Sequence, residues 1–536
     1  MSEFVKQKKD AVYMEKNKKQ ALILSIVAVV TLIALVVGAT FAYFKAQVGT
    51  GSSTEVKVTT YTTDMLTFTT GNAISLYADQ SSFGQEKGSL SGETFAKATL
   101  VANNKTNEAT DNYYVYFNIE NNTFKYTLGE DKPELILTVT GPDGNEVTSL
   151  PGLTHTTVQD RENKSISGFD VTTTNGIITI ANKKTITATP SKEEQYTLKF
   201  TFVNYEGDQT ENATSSLSAK VMIQKEKISL ANICKNGKSL SSCITAMDGI
   251  DETLYHHDAS LTNGANDNSY RFAGASDQVN NYICFGSTQN PCPADNLYRI
   301  IGVFGDKVKL IKSDYATSVL LGADGDYSKM YTATGWDISY YKGNNLANVA
   351  GYTWNMTSKN TWSTSLLNKT NLNTNFIKNI GTDWAAKIDA TTWKVGGNTS
   401  ANILNQPSKT AYQNEIVSPV TTNTTDNATT YSAKVGLMYA SDYGFAAAPS
   451  AWTANLNTYN GEAIKNVNWM HMGLIEWTIS RDADYSFGAF SVVSKGDVNN
   501  NDVGYLAYAV RPVFYLSSSV TYVEGDGTQS SPIRIN

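Results

Sequence analysis

The sequence predicts a mainly β protein: a single N-terminal transmembrane helix, an antiparallel β-sandwich, then a less regular α+β domain. Three observations carry this. An uncharged apolar run occupies residues 21–44. Apolar and polar residues alternate repeatedly through residues 48–225, the mark of half-buried strands. From about residue 296 onward the alternation breaks into short apolar stretches set among Trp, Asn, Thr and Gly.

A chain of 536 residues exceeds one compact core, so two or three domains are expected. Lys plus Arg number 43 against 50 Asp plus Glu, and no basic patch argues for nucleic acid. Charged residues make up 17%, below the usual quarter, and Asn, Thr, Ser and Tyr take their place. Such a neutral, hydrogen-bonding surface suits an exterior or glycan-facing setting.

Residues 1–20 read as a basic cytoplasmic tail carrying Lys6, Lys8, Lys9, Lys16, Lys18 and Lys19. The run 21–44 has no charge and no proline, and 14 of its residues are Leu, Ile, Val or Phe. As a helix it would span about 36 Å, more than a bilayer's hydrocarbon core requires. Lysines before it and a lone Lys45 after it orient everything downstream to the outside. The expected location is therefore the cell membrane, single-pass, with lipid as a partner through 21–44. A buried core helix is the bland alternative, but the run is apolar on every face. Small residues at Thr40 and Ala42 also offer signal cleavage near Ala42, which would give a secreted product.

In the first outside domain (48–225), Val115, Phe117 and Ile119 fall on one face of "YYVYFNIE". Leu135, Leu137 and Val139 do so in "ELILTVT"; Tyr196, Leu198, Phe200 and Phe202 in "QYTLKFTF"; Ala219, Val221 and Ile223 in "SAKVMIQ". Turn clusters such as "GPDGNE" (141–146) separate them, as in a sandwich. "VVGATFAYF" (36–44), "TFAKATLVANNKTNEATDNYYVYFNIE" (94–120) and the final hairpin together resemble camelysin and TasA-like proteins of Gram-positive bacteria. That resemblance implies a jelly-roll sandwich and self-association into a biofilm fibre. The domain holds one histidine, His155, and no His-Glu-x-x-His zinc signature.

Residues 226–295 read as a join stapled by two local disulfides, Cys234 with Cys243 and Cys284 with Cys292. A loop of about ten residues gives roughly 2.5–3 kcal/mol each in the chain-entropy model. A four-cysteine zinc site is the rival, against which the wide spacing speaks. His256, His257 and Asp258 are a weak metal candidate, because adjacent histidines point apart on a strand. "NGANDN" (263–268) reads as a turn.

The last domain (296–536) opens with a hairpin: Leu297–Phe304 up, Gly305–Asp306 turning, Lys307–Ser313 back. A helix is expected at Ser363–Ile380 with Ser363 or Thr364 as cap. "YRIIGVF", the helix after Trp362, "GLMYASDYG" read as a strand, "EWTISR" and "AVRPVFYL" follow in order. This series resembles a bacterial surface domain placed with C-type-lectin-like folds, which mostly present binding surfaces. All eight tryptophans lie here, and most are expected in the core. Arg299, Arg481 and Arg511 sit in apolar strand patterns, each expected to be held by a carboxylate or carbonyls. Glu476 is expected to pair with Arg481.

Aromatic rings stack on sugars, so the ligand-binding candidates are Trp336, Tyr340, Tyr341, Trp354 and Trp452, all in Gly/Asn-rich loops. Calcium is the usual helper in animal-type lectins. Its weak candidates are Asp324 and Asp326, with Asp497, Asn499, Asn501 and Asp502; each set also reads as a plain turn. No phosphate loop, nucleophile elbow or zinc signature points to an enzyme. The expected role is adhesion or recognition of a glycan or surface-protein ligand. The alternative is a structural subunit of a fibre, biofilm matrix or surface layer. A glycoside hydrolase, whose carboxylate pair need not be close in sequence, is third.

Overall fold

The computed structural model describes residues 63–78, 88–103, 107–330, 338–399, 403–419 and 429–536. The basic tail, the apolar run 21–44 and the cleavage point near Ala42 lie outside them. Among the described residues no helix is long and apolar enough to cross a membrane. The chain divides into two compact units, Met1–Lys227 and Ile228–Asn536, both mainly β with antiparallel sheets.

Unit 1 holds β1 (Met65–Thr70), β2 (Ile74–Tyr77), β3 (Leu90–Val101), β4 (Ala109–Asn122) and β5 (Leu135–Thr140). β6 (His155–Gln159), β7 (Ser165–Asp170), β8 (Gly176–Ala188), β9 (Ser191–Phe202) and β10 (Ser216–Gln224) follow. They form a six-stranded sheet, β1-β3-β9-β5-β7-β6, and a four-stranded one, β2-β10-β4-β8. One apolar core draws on both, and Phe117 of β4 meets Phe200 of β9 at 5.2 Å between ring centroids. The alternation read from sequence is met: Val115, Phe117, Ile119, Leu135, Leu137, Val139, Leu198 and Phe200 are all buried. Ile136 breaks it. Its outward side packs with Ile166, Val203 and Tyr205, so β5 is covered on both faces.

A carboxylate closes one end of unit 1. Glu134 is fully buried at the foot of β5 and accepts from Thr127 N (2.6 Å) and Thr127 Oγ1 (2.5 Å). It also accepts from Gln209 Nε2 (2.9 Å) and Asn212 Nδ2 (2.7 Å), tying together two loops that pass over the core.

In unit 2, β11 (Leu254–His256), β12 (Tyr270–Phe272), β13 (Tyr282–Cys284), β14 (Leu297–Phe304) and β15 (Lys307–Lys312) come first. The β14–β15 hairpin matches expectation, with Gly305 in the left-handed region its turn requires (φ +64°). Residues 226–295, expected as a join, instead lend β11, β12 and β13 to the same sheet, whose order is β11-β12-β14-β15. The alternation there was too short to read as strands. Cys234–Cys243 and Cys284–Cys292 are bonded as expected, with Cα–Cα distances of 5.3 and 5.9 Å.

β16 (Tyr327–Met330), β17 (Ala350–Thr353), β18 (Thr391–Lys394), β19 (Gly397–Asn398), β20 (Thr430–Ala433) and β21 (Val435–Gly436) are short. β22 (Glu476–Asp482), β23 (Gly488–Val492), β24 (Val498–Asp502), β25 (Ala507–Tyr508) and β26 (Val513–Tyr515) follow, then a last pair, β27 (Tyr522–Glu524) and β28 (Arg534–Ile535). β26 and β21 complete the large sheet beside β15; β19-β22-β23-β24 form a second, in which β19–β22 is parallel.

Three expectations are corrected. The helix expected at Ser363–Ile380 is present but starts later: after a short turn at Trp362–Thr364 it is a wide π-type helix at Leu367–Phe376 that continues as α-helix through Ile377–Asn379. Its first N–H groups are taken by Asp326 Oδ2 (2.7 Å to Leu367 N) and Ser365 Oγ (3.1 Å to Asn368 N), not by Ser363 or Thr364. Of "GLMYASDYG" only Gly436 belongs to a strand, β21, and the rest leads into the helix Ala440–Phe445, where Asp442 Oδ2 accepts from Tyr439 N (3.0 Å). Glu476 pairs with Arg511 rather than Arg481, through Oε2–Nε at 2.7 Å and Oε1–NH2 at 2.5 Å. Residues five apart on one strand face opposite ways, whereas Ala509 bridges Glu476 from the neighbouring segment. Arg481 Nε donates to Val395 O (2.8 Å), and Arg299 is held by Asn281, Ser276 and Val279.

Glu134→Ala takes an acceptor from Thr127 and one of two acceptors from each of the Gln209 and Asn212 amides, and should lower the stability of unit 1 by about 3 kcal/mol. All tryptophans lie in unit 2, so urea unfolding followed by far-UV CD should shift while Trp fluorescence stays put.

Candidate functional site

Three loops of unit 2 are laced together by buried amides and carboxylates. They are residues 354–361 after β17, 482–488 joining β22 to β23, and 502–506 after β24. The first is fixed at its start by Trp354, fully buried, whose Nε1 donates to Thr478 O (2.9 Å). Asn355 N then donates to Val503 O (3.0 Å), and Met356 N to Asp326 Oδ1 (3.0 Å). At its end Asn360, buried, aims its Nδ2 at three carbonyls of the second loop: Asp482 (2.7 Å), Tyr485 (2.8 Å) and Gly488 (2.8 Å).

The second loop is shaped from within. Asp482 Oδ1 accepts from Asp484 N (2.7 Å), and its Oδ2 from Asn500 Nδ2 (2.5 Å). The third runs alongside, since Val503 N donates to Phe487 O (2.9 Å), and Asp502 Oδ1 accepts from Gly504 N (2.9 Å). Gly504 is needed there: a Cβ would lie 2.1 Å from Ser358 Oγ of the first loop. These are Asx-type turns, in which side chains supply the bonds that a ladder would otherwise make.

The tight backbone presents large side chains outward. Tyr485 is 51% exposed, Phe487 49%, Tyr505 84% and Met356 47%. The Tyr485 and Phe487 rings lie 5.9 Å apart at 51°. Exposed Asp484 and Lys359 stand in the same loops. Flat apolar faces beside hydrogen-bonding groups can stack on and orient a ligand of mixed polarity. The two carboxylates beneath, Asp482 and Asp502, are occupied in shaping the loops.

The sequence candidates fall elsewhere. Trp336 lies outside the described residues. Trp354 and Trp452, expected on an exposed face, are both fully buried. Trp354 packs 4.9 Å from Trp362, and Trp452 sits against Phe445 with its Nε1 on Ala447 O (2.8 Å). A unit with short strands needs such anchors inside its loops. Tyr340 is half-buried with Lys465 Nζ 4.5 Å from its ring centre. The Tyr341 hydroxyl is bound to Asp314 (3.0 Å), and its ring stacks on Tyr315.

The calcium candidates are engaged in the chain's own bonds. Asp324 takes Asn375 Nδ2 (2.6 Å), and buried Asp326 binds backbone N–H groups on both oxygens. Asn499 Oδ1 accepts from Asn500 N (2.8 Å); Asn501 donates to Ser491 Oγ (2.8 Å) and accepts from Tyr508 (3.0 Å). Asp497 is half-buried, and burial pushes its carboxyl above the usual range. Among the described residues no three His, Cys, Asp or Glu gather as a metal group.

His256 stacks on Tyr270 (4.2 Å), while His257 is buried and its Nδ1 accepts from Ala265 N (3.0 Å). "NGANDN" is a turn through left-handed Asn263, Asn266 and Asn268.

Sequence reasoning missed Tyr485, Phe487 and Tyr505. The available signal was "RDADYSFG", where aromatic residues follow directly on turn-forming Asp rather than a strand. No protein-family model matches the chain, and no curated protein matches it.

Asn360→Ala removes one donor group from three carbonyls and should raise amide exchange across 482–488 roughly ten- to a hundredfold, leaving β14–β15 protected.

Two buried histidines set an acid limit on unit 2. Burial, with Arg271 adding to it, holds His257 down to about 2. Burial holds His471 down to about 4, although its Nε2 donates to Ser494 O. Both stay neutral in the fold while the unfolded chain binds protons near 6.5, so their contribution is whole above that pH and is lost as pH falls toward about 4 for His471 and about 2 for His257. Glu415 works oppositely: burial raises it to about 7, and its contribution is present below 4.5 and lost as pH rises through 7. Trp-detected urea midpoints between pH 7 and 5 should therefore fall less steeply in His471→Gln and more steeply in Glu415→Gln.

Proposed function

We propose that the chain is a cell-surface protein whose second unit binds a glycan through Tyr485, Phe487 and Tyr505, serving adhesion or ligand recognition. The observation that carries it is Tyr505, 84% exposed on a turn tied to the loop that bears Tyr485 and Phe487. A free tyrosine on a flexible tip would lose entropy on binding; one held by Asx turns over a bonded backbone loses little. Sugar rings carry apolar C–H faces and polar edges, matching aromatic planes beside Asp484 and Lys359.

Location belongs to the same proposal. Two disulfides in a chain with all its cysteines paired suit an oxidising exterior. The run 21–44 behind its lysines is the anchor we assign, with the units outside. We read unit 1 as a TasA-like sandwich and unit 2 as a C-type-lectin-like head. The short strands and bonded loops of unit 2 suit such a head.

A glycan array probed with the full chain should give binders that Tyr505→Ala and Tyr485→Ala each weaken by about tenfold or more, with unchanged thermal midpoints. An array without binders, or binders indifferent to both substitutions, defeats the proposal.

A further inference from the structure

At the centre of unit 2 a lysine and an aspartate meet out of water. Lys309 of β15 is 1% exposed and Asp442 of the helix Ala440–Phe445 is 3% exposed. Lys309 Nζ lies 2.5 Å from Asp442 Oδ2 across 133 residues of sequence. The ammonium site is walled by aromatic rings: Tyr439 at 4.8 Å, Phe304 at 5.4 Å, Tyr515 at 5.5 Å and Trp393 at 5.9 Å. Arg271 NH1 stands 3.6 Å from Asp442 Oδ1, and Tyr439 N donates to Oδ2 (3.0 Å). A second carboxyl is anchored alongside. Glu415 accepts from Ser441 N (3.1 Å), next to Asp442, and from the Ser480 hydroxyl; it interacts electrostatically with Lys309 and Asp442.

An ion pair alone does not account for this arrangement well. Buried ion pairs are poor stabilisers, and here two more ionisable groups, Arg271 and Glu415, are buried beside the two. The set instead meets the needs of a condensation: an amine and a carboxyl in contact, a cation for the developing oxyanion, a proton carrier and no competing water.

The geometry points to an intramolecular amide bond between Lys309 Nζ and Asp442 Cγ, formed with Glu415 as the proton carrier. The ion pair first exchanges its proton, giving a neutral amine and a carboxylic acid. The amine lone pair attacks Asp442 Cγ, and the charge that gathers on Oδ1 faces Arg271. Glu415 takes a proton from the nitrogen and returns it to the departing oxygen. The Cγ–Oδ2 bond breaks, and one water leaves for each amide formed. No oxidant, reductant or cofactor enters. The titration behaviour agrees: burial lowers the Lys309 amine, Asp442 opposing, and burial raises Glu415 to about 7, where it can both accept and release a proton. The product clamps the middle of the large sheet to a helix far along the chain.

Mass decides it. The full chain, reduced and denatured, should weigh about 18 Da less than its sequence. Trypsin should leave Lys309 uncut within a branched peptide that also contains Asp442. Lys309→Arg and Glu415→Gln should restore the full mass. Asp442→Asn should condense with loss of ammonia, a deficit of about 17 Da. A wild-type chain at its full sequence mass, cut by trypsin after Lys309, overturns the proposal whether or not the variants fold. A deficit that persists in Glu415→Gln overturns the role given to Glu415.

Discussion

Each buried arginine of unit 2 is met by oxygen or ring, and that requirement organises the unit. Its strands are mostly two to five residues long, too short to hold a core through ladders alone. Arg299 gathers Asn281, Ser276 and Val279 while its guanidinium lies 4.7 Å from the Trp469 ring centre. Arg271 reaches Asp267 (2.6 Å) and Ser269 (2.8 Å) amid the rings of Phe304, Tyr412 and Phe445. Arg511 grips Glu476 with two bonds and Met470 O with a third. Each cation fixes segments distant in sequence to one another. Losing one partner would strand a charge in a dry interior, so none of these contacts can slip cheaply.

Unit 1 solves the same problem by regularity. Strands of 12 to 14 residues carry its two sheets, and its core is almost wholly aliphatic and aromatic. Buried polarity is concentrated at the Glu134 knot, where four donors converge on one carboxylate. The edge strand β8 carries Lys183 and Lys184 beside a register shift in its pairing with β4. Lysines and bulges at an edge discourage strand addition by another chain.

Unit 1 was therefore legible in its sequence, and unit 2 only in part. Period-2 alternation found the faces of β4, β5, β9 and β10 because one side of each strand meets one continuous core. The β14–β15 hairpin was legible because both strands are long and the turn needs glycine. Cysteines at short spacing announced their pairing. Glu476 was assigned to the wrong arginine because the true partner, Arg511, is contributed by another segment, which no local pattern reveals. Trp354 and Trp452 looked exposed because Gly and Asn surround them. In a unit this irregular, loop residues form the core, so neighbours in sequence do not report burial. Tyr485, Phe487 and Tyr505 were overlooked for the converse reason. Tyr485 and Phe487 follow a strand whose residues, Glu476 through Asp482, are all buried, Tyr505 follows the short β24, and nothing in the alternation marks where the chain turns outward.

The two kinds of bonding in unit 2 divide the work. Buried cations hold the interior, while Asn and Asp side chains hold the loops to the backbone beneath them. The Asn360 amide donates to three carbonyl oxygens, and Asp482 and Asp502 bind backbone N–H groups of their own turns. Backbone groups are common to every residue type. The outward side chains of these turns can therefore change without disturbing what fixes the turn. Tyr485, Phe487 and Tyr505 are thus coupled to the fold through their peptide groups and to solvent through their rings. A surface built this way can be rigid enough to bind at small entropic loss and still be free to vary in what it recognises. The exceptions are residues such as Gly504 and Trp354, whose own atoms fill the contact between loops, and these are the positions at which the surface has no such freedom.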